Sequence, residues 1–205
     1  MPVLKTSSLS IGYTRKNKKN VVQSTLSLTL QAGELVCLIG PNGTGKSTLL
    51  RTLAGLQKPL AGKIMIDNHD ITAFSAHKKA LKIALVLTDR VDVENASVYD
   101  IVAYGRHPHS NWWGNADKTD KTAIDQAIQM VHLQKKTNDN FCELSDGERQ
   151  RVMIAKALAQ DTPIIMLDEP TAHLDLPNRV DIMLLLHRLA HKTGKSILLS
   201  THELD

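Results

Sequence analysis

From residue 3 to 12, and again from 21 to 30, apolar and polar residues alternate, with Val22, Leu26, Leu28 and Leu30 on apolar positions. A period of two belongs to a half-buried strand and predicts antiparallel sheet at the start of the chain. The pattern changes after the turn Ala32-Gly33. Residues 34–39 are a near-continuous apolar run, which predicts a strand buried on both faces of a parallel sheet, with Cys37 packed in the core. A glycine-rich stretch and a helix over about 46–56 follow. Residues 60–71 predict a short hairpin around Gly62 and the Asp67-Asn68 turn, and 82–87 a strand. From about 88 to 159 helical periods take over, with helices over 98–105, 119–133 and 148–159. A strand over 163–167, an amphipathic helix over 176–191 with Gly194 beyond its end, and a strand over 197–200 complete the pattern. It predicts an α/β fold in one domain, with a core from about 1–88 and 160–205 and a mostly helical insertion over about 89–159.

Composition narrows the classes. The 205 residues are 42% apolar, enough to fill a real core. No apolar run approaches the roughly 18 residues that cross a bilayer. The start, Met1-Pro2-Val3-Leu4-Lys5, lacks a charged segment followed by an apolar one, so no signal peptide is expected. Any link to a membrane then runs through a partner protein. The net charge of +4 does not by itself call for nucleic acid. The densest basic cluster, residues 15–20, reads as a solvated loop between two strands. Aromatics make up only 3%, which argues against a stacking platform for single strands. Cys37 and Cys142 form neither a CxxC pair nor a zinc spacing and read as reduced thiols.

Candidate chemistry begins at Gly40-Pro41-Asn42-Gly43-Thr44-Gly45-Lys46-Ser47, which satisfies G-x-x-x-x-G-K-[ST] between a predicted strand and a predicted helix. Glycines let successive N–H groups point into one concavity, and the helix start adds its positive end. Lys46 supplies a point charge for β- and γ-phosphates, the Ser47 hydroxyl can ligate Mg²⁺, and Thr48 can add a phosphate contact. A second site lies where the run 164–167 ends in Asp168 and Glu169. A strand emerging at the carboxyl edge of a parallel sheet delivers its end to the ligand crevice. Successive side chains point apart, so the two carboxylates divide the work: Asp168 for the metal, Glu169 as general base or water-positioning group.

Leu144-Ser145-Asp146-Gly147-Glu148-Arg149-Gln150 forms a good capping box, Ser145 with Glu148, and a capped helix start is also an anion site. This heptapeptide resembles the signature motif of ATP-binding-cassette (ABC) proteins, usually LSGGQ. The resemblance covers nearly the whole chain. It implies a P-loop NTPase with a three-layer αβα, RecA-like core, an N-terminal antiparallel β subdomain and an inserted helical subdomain. It also implies ATP and Mg²⁺ as ligands, and a homodimer in which the signature of one copy (Ser145, Gly147, Glu148) meets the γ-phosphate held by the other. Tyr13 falls where the family stacks an aromatic on adenine, Asp175 in the loop crossing the dimer interface, and His202 where a histidine contacts the γ-phosphate.

Departures are equally specific. Where the family has a glutamine touching Mg²⁺, the sequence has Thr88-Asp89-Arg90, leaving Thr88 or Asp89 as the metal contact. Glu148 and Asp146 replace glutamine and glycine of the signature; the helix end and Arg149 are expected to offset the added charge. The family generally continues with further strands and helices beyond the position of Asp205, so a C-terminal part is expected to be missing. Gly105-Arg106-His107-Pro108-His109 resembles the ATPases of ferric-siderophore, haem and cobalamin importers, although a histidine pair around a proline ordinarily lies exposed in a loop. Trp112 and Trp113 suit either a membrane-subunit contact or a local cluster. The resemblance thus implies an ATPase subunit on the cytoplasmic face of the membrane, working with two membrane-spanning permease subunits and, indirectly, a substrate-binding protein. The alternative is a soluble ABC ATPase acting on nucleic acid or ribosomes, which the absence of long coiled coils or tandem cassettes disfavours.

Overall fold

The computed structural model describes residues 2–16, 18–88, 93–109 and 118–202. In chain order the strands and helices are β1 (Pro2–Arg15), β2 (Lys18–Leu26), β3 (Thr29–Gln31), β4 (Leu35–Ile39), α1 (Lys46–Leu53), β5 (Ala61–Ile66), β6 (His69–Asp70), α2 (Ala76–Ala80), β7 (Ile83–Val86), α3 (Val98–Ala103), α4 (Lys118–Met130), α5 (Asp146–Ala159), β8 (Ile164–Leu167), α6 (Leu176–Thr193) and β9 (Ser196–Thr201). β2-β1-β5-β6 form an antiparallel sheet to which β3 adds on β1, and β4-β9-β8-β7 form a parallel one. The basic stretch expected as a loop over 15–20 is mostly strand: β1 and β2 pair up to Arg15 opposite Lys18.

The parallel strands carry apolar side chains on both faces. On β8, Ile165 and Leu167 face a core built with α3 to α6, while Ile164 and Met166 face α1 and the antiparallel sheet. Layers on both sides of the parallel sheet follow, as the continuous apolar runs require. The helices between β7 and β8 share the first of these cores: Ile124 and Ile128 of α4 belong to the same apolar cluster as Leu167 and Leu186.

β4 departs from expectation. It pairs only with β9 among the described residues, and its outer edge has no neighbouring strand there. Val36 and Leu38 pack toward α1 and the antiparallel sheet, but Cys37 is exposed and Ile39 is 56% exposed. Among the described residues the phosphate-loop strand is thus covered on one face and, at Leu35, partly on the other, and Cys37 is not core packing.

Candidate functional site

α1 begins directly at Lys46, and its start is bare. Gly45 stands at the N-cap with φ 95°, in the left-handed region, makes no side-chain cap bond, and no acidic residue follows in the first turn. An L side chain there is strained, and a Cβ would also collide with Val22. The contrast with the other long helices is direct. α5 starts under a reciprocal Ser145–Glu148 capping box, and α6 under Asp175, whose Oδ1 accepts from Asn178 N at 3.1 Å. An uncapped helix start keeps its orphan N–H groups and its positive end for an anion. The loop before it is held from outside by Gln23, whose Nε2 donates to the Thr44 carbonyl at 2.7 Å. Within the loop, the Thr44 hydroxyl donates to the Pro41 carbonyl at 2.9 Å.

Three expected groups converge here from distant parts of the chain. Lys46 Nζ lies 3.3 Å from Glu169 Oε1, and His202 Nδ1 lies 3.0 Å from Glu169 Oε2. Lys46 also donates to the carbonyls of Gly40 (2.7 Å) and Pro41 (3.1 Å), so its ammonium is turned onto the loop itself. Glu169 holds φ 47°, a left-handed backbone that an L residue occupies only when its surroundings enforce it. Asp168 beside it is buried, and its Oδ1 accepts from the Ser200 hydroxyl at 2.7 Å. Tyr13, half exposed, reaches the same helix: its hydroxyl lies 2.8 Å from Thr48 Oγ1. Thr48 therefore meets Tyr13.

Other expected residues lie apart from this cluster. Ser145, Gly147, Glu148 and Asp175 sit at the starts of α5 and α6, and Gly147 packs against Asn178, whose Oδ1 would be 3.0 Å from a Cβ there. The Ser145 hydroxyl is engaged with Glu148 Oε2 at 3.0 Å. The added charge of Glu148 is met by Lys136 at 2.7 Å, which with the capping box holds its carboxyl below the usual carboxylate range. Arg149, expected to offset that charge, turns away: Nη2 donates to the Cys142 carbonyl, and the guanidinium stands 5.9 Å from the Phe141 ring centre. Thr88 donates to the Asp168 carbonyl at 2.9 Å, at the rim of the site. Asp89, Trp112 and Trp113 lie outside the described residues.

The importer-like string proves to be a brace. A Cβ at Gly105 would collide with the Lys156 carbonyl, so only glycine allows this approach to α5. Arg106 Nε pairs with Asp120 at 2.8 Å and Nη1 donates to the Ala159 carbonyl at 2.8 Å. His109 of the string bonds to the Gln160 carbonyl, and His77 of α2 bonds to the Pro108 carbonyl, so the string is tied to α2 and to the end of α5. Gln23, Lys136 and Ser200 belong to no motif in the sequence. A serine ending the apolar run Ile197-Leu198-Leu199 was the available signal, because a buried hydroxyl must find partners.

A bare helix start behind a glycine loop, with a lysine, a carboxylate pair and a histidine gathered at one sheet edge, defines a P-loop nucleoside-triphosphatase site. A family model described as ABC transporter matches residues 23–172. The chain belongs to that family, as an ATP-hydrolysing cassette. It is 39% identical over 203 residues to an uncharacterised ABC transporter ATP-binding protein of Methanocaldococcus jannaschii, covering 99% of this chain and 69% of that one. It is 35% identical over 205 residues to the iron(3+)-hydroxamate import ATP-binding protein of Bacillus subtilis, covering 100% of this chain and 75% of that one. A dimeric structure of an ATP-binding cassette in a post-hydrolysis state, bound to ADP and Pi, superposes with TM-score 0.81 at 28% identity, covering 98% of this chain and 88% of that one. Among the described residues no helix is long and apolar enough to cross a membrane.

Proposed function

We propose that the chain is the ATP-driven motor of an importer for iron chelates or cobalamin-type chelates, working as a homodimer on the cytoplasmic side of two permease subunits that receive cargo from a substrate-binding protein. The motor chemistry rests on the convergence of Lys46, Glu169 and His202 at the bare start of α1. On nucleotide entry the amides of residues 40–47 and the end of α1 take up the phosphates, and Lys46 exchanges the Gly40 and Pro41 carbonyls for β- and γ-oxygens. Glu169 orients a water toward the γ-phosphorus and accepts its proton as ADP leaves. His202, already against Glu169, bears on the γ-phosphate, and Tyr13 packs on adenine.

The donor set fits Mg²⁺: the Ser47 hydroxyl and the Oδ2 of Asp168, which has no partner among the described residues, are the hard oxygens this ion takes. Bound there, the ion would neutralise charge developing on the β- and γ-oxygens. Thr88, proposed from the sequence as a metal contact, donates to the Asp168 backbone carbonyl beside that carboxylate.

Within one chain the Ser145 helix start does not contact the phosphate loop among the described contacts. A second copy bringing Ser145, Gly147 and Glu148 over the γ-phosphate, with Asp175 at the crossing, would complete the site. The import assignment is supported by the relative named for iron(3+)-hydroxamate import. Two experiments test this reading. Purified protein should bind Mg·ATP at millimolar concentration and release phosphate, and Lys46→Ala should lose both. With co-purified permease in vesicles, hydrolysis should drive ferric-siderophore uptake. Stimulation by DNA or ribosomes in place of permease would overturn the transport assignment.

A further inference from the structure

Ser200 occupies the joint of the site and takes no direct part in the proposed chemistry. It is fully buried near the end of β9. Its hydroxyl donates to Asp168 Oδ1 at 2.7 Å and accepts from the backbone N–H of Glu169 at 2.9 Å. One oxygen atom thus touches both members of the carboxylate pair. Two residues further along, His202 reaches the Glu169 carboxylate.

We propose that Ser200 is a positioning residue for hydrolysis, fixing the Asp168 carboxylate toward the cation and the Glu169 backbone in its left-handed conformation. Two physical points carry this. Asp168 has one protein hydrogen bond to its side chain among the described residues, so the Ser200 hydroxyl alone decides which oxygen is occupied and which faces the metal position. Glu169 pays for φ 47° with local strain, and the bond to its N–H is the side-chain contact that holds that turn. Release of it lets the carboxylate swing from Lys46 and His202. Because β9 carries both Ser200 and His202, the same strand sets the rotamer of the metal acid and the partner of the general base.

This inference rests on the hydrolytic reading of the site, and its failure can be told from failure of that reading. ATP turnover and Mn²⁺ binding, with free Mn²⁺ read by electron paramagnetic resonance in the presence of ATP, would be measured for the parent protein, Ser200→Ala, Ser200→Thr and Ser200→Cys. A charge-assisted hydrogen bond of this kind corresponds to roughly a tenfold change or more. Ser200→Ala should therefore weaken Mn²⁺ binding and lower kcat about tenfold each, with binding of ATP alone, without divalent ion, within about twofold. Ser200→Thr, which keeps the hydroxyl, should restore both. Ser200→Cys, near in volume with a weaker donor, should fall between, and serves if the alanine variant does not fold. A lower melting temperature with unchanged kcat and unchanged Mn²⁺ binding in Ser200→Ala or Ser200→Cys would reduce Ser200 to a satisfied core hydroxyl and overturn the proposal. A parent protein without ATP turnover would instead sink the hydrolytic reading itself.

Discussion

Glu169 is the residue on which most of the site's geometry bears, since Lys46, His202 and Ser200 all contact it. Glu169→Gln keeps its shape and removes its basicity. Loss of a positioned general base costs about 10²- to 10⁴-fold in rate, so this variant should bind Mg·ATP, turn over at least a hundredfold more slowly, and accumulate as an ATP-bound dimer in size-exclusion chromatography. Ordinary turnover would remove Glu169 from its role. Glu148 gives a pH dependence with a definite sign. Its bond to Lys136, then its capping contacts, hold its folded-state pKa below the unfolded value. The associated stability is present above about pH 5 and lost as pH falls through the depressed pKa. Glu148→Gln should thus be less stable by about 0.5 kcal/mol at pH 7, a small figure because the pair is partly solvated, and the difference should vanish in urea titrations as pH falls through the depressed pKa.

Among the elements, the three long helices with described starts divide by how those starts are finished. α5 and α6 close theirs with their own side chains, and α1 leaves its start to the ligand. The same economy governs Gly105, where the short α3 and the turn after it lie against the Lys156 carbonyl of α5. Gly105→Ala forces that contact apart and should cost about 1–3 kcal/mol, read as a drop in melting temperature with phosphate-loop chemistry unchanged in the protein that remains folded. Element positions were largely legible beforehand: Gly194 closes α6 with φ 66°, and the Asp67-Asn68 turn joins β5 to β6. β1 ran three residues further than its alternation suggested, because cross-strand pairing up to Arg15 overrides polar composition at an exposed hairpin.

On the scale of the molecule, one apolar cluster runs from the inserted helices through α5 to the parallel sheet, and Arg106 fastens it at the seam. The Arg106–Asp120 pair is nearly buried, with side-chain exposures of 12% and 7%. Arg106→Ala removes this pair and the bond to the Ala159 carbonyl, and a hydrogen bond to a charged group is worth about 1.5–3 kcal/mol. Arg106→Ala should accordingly raise amide exchange in α4 and the end of α5 before that of β8 and β9, by hydrogen-exchange mass spectrometry. Uniform exchange across both regions would show that the brace carries no local role.

The sequence by itself determined the phosphate loop, the carboxylate pair after β8 and the order of strands and helices, because these depend on backbone freedom, periodicity and residues close together along the chain. Only the tertiary structure decided that β9 is the strand beside β4 among the described residues, that Lys136 rather than Arg149 answers Glu148, and that Ser200 joins Asp168 to Glu169. Those outcomes depend on which distant strand or side chain arrives alongside. Such arrivals are set by the summed packing of the whole chain, and no local pattern of residues records them.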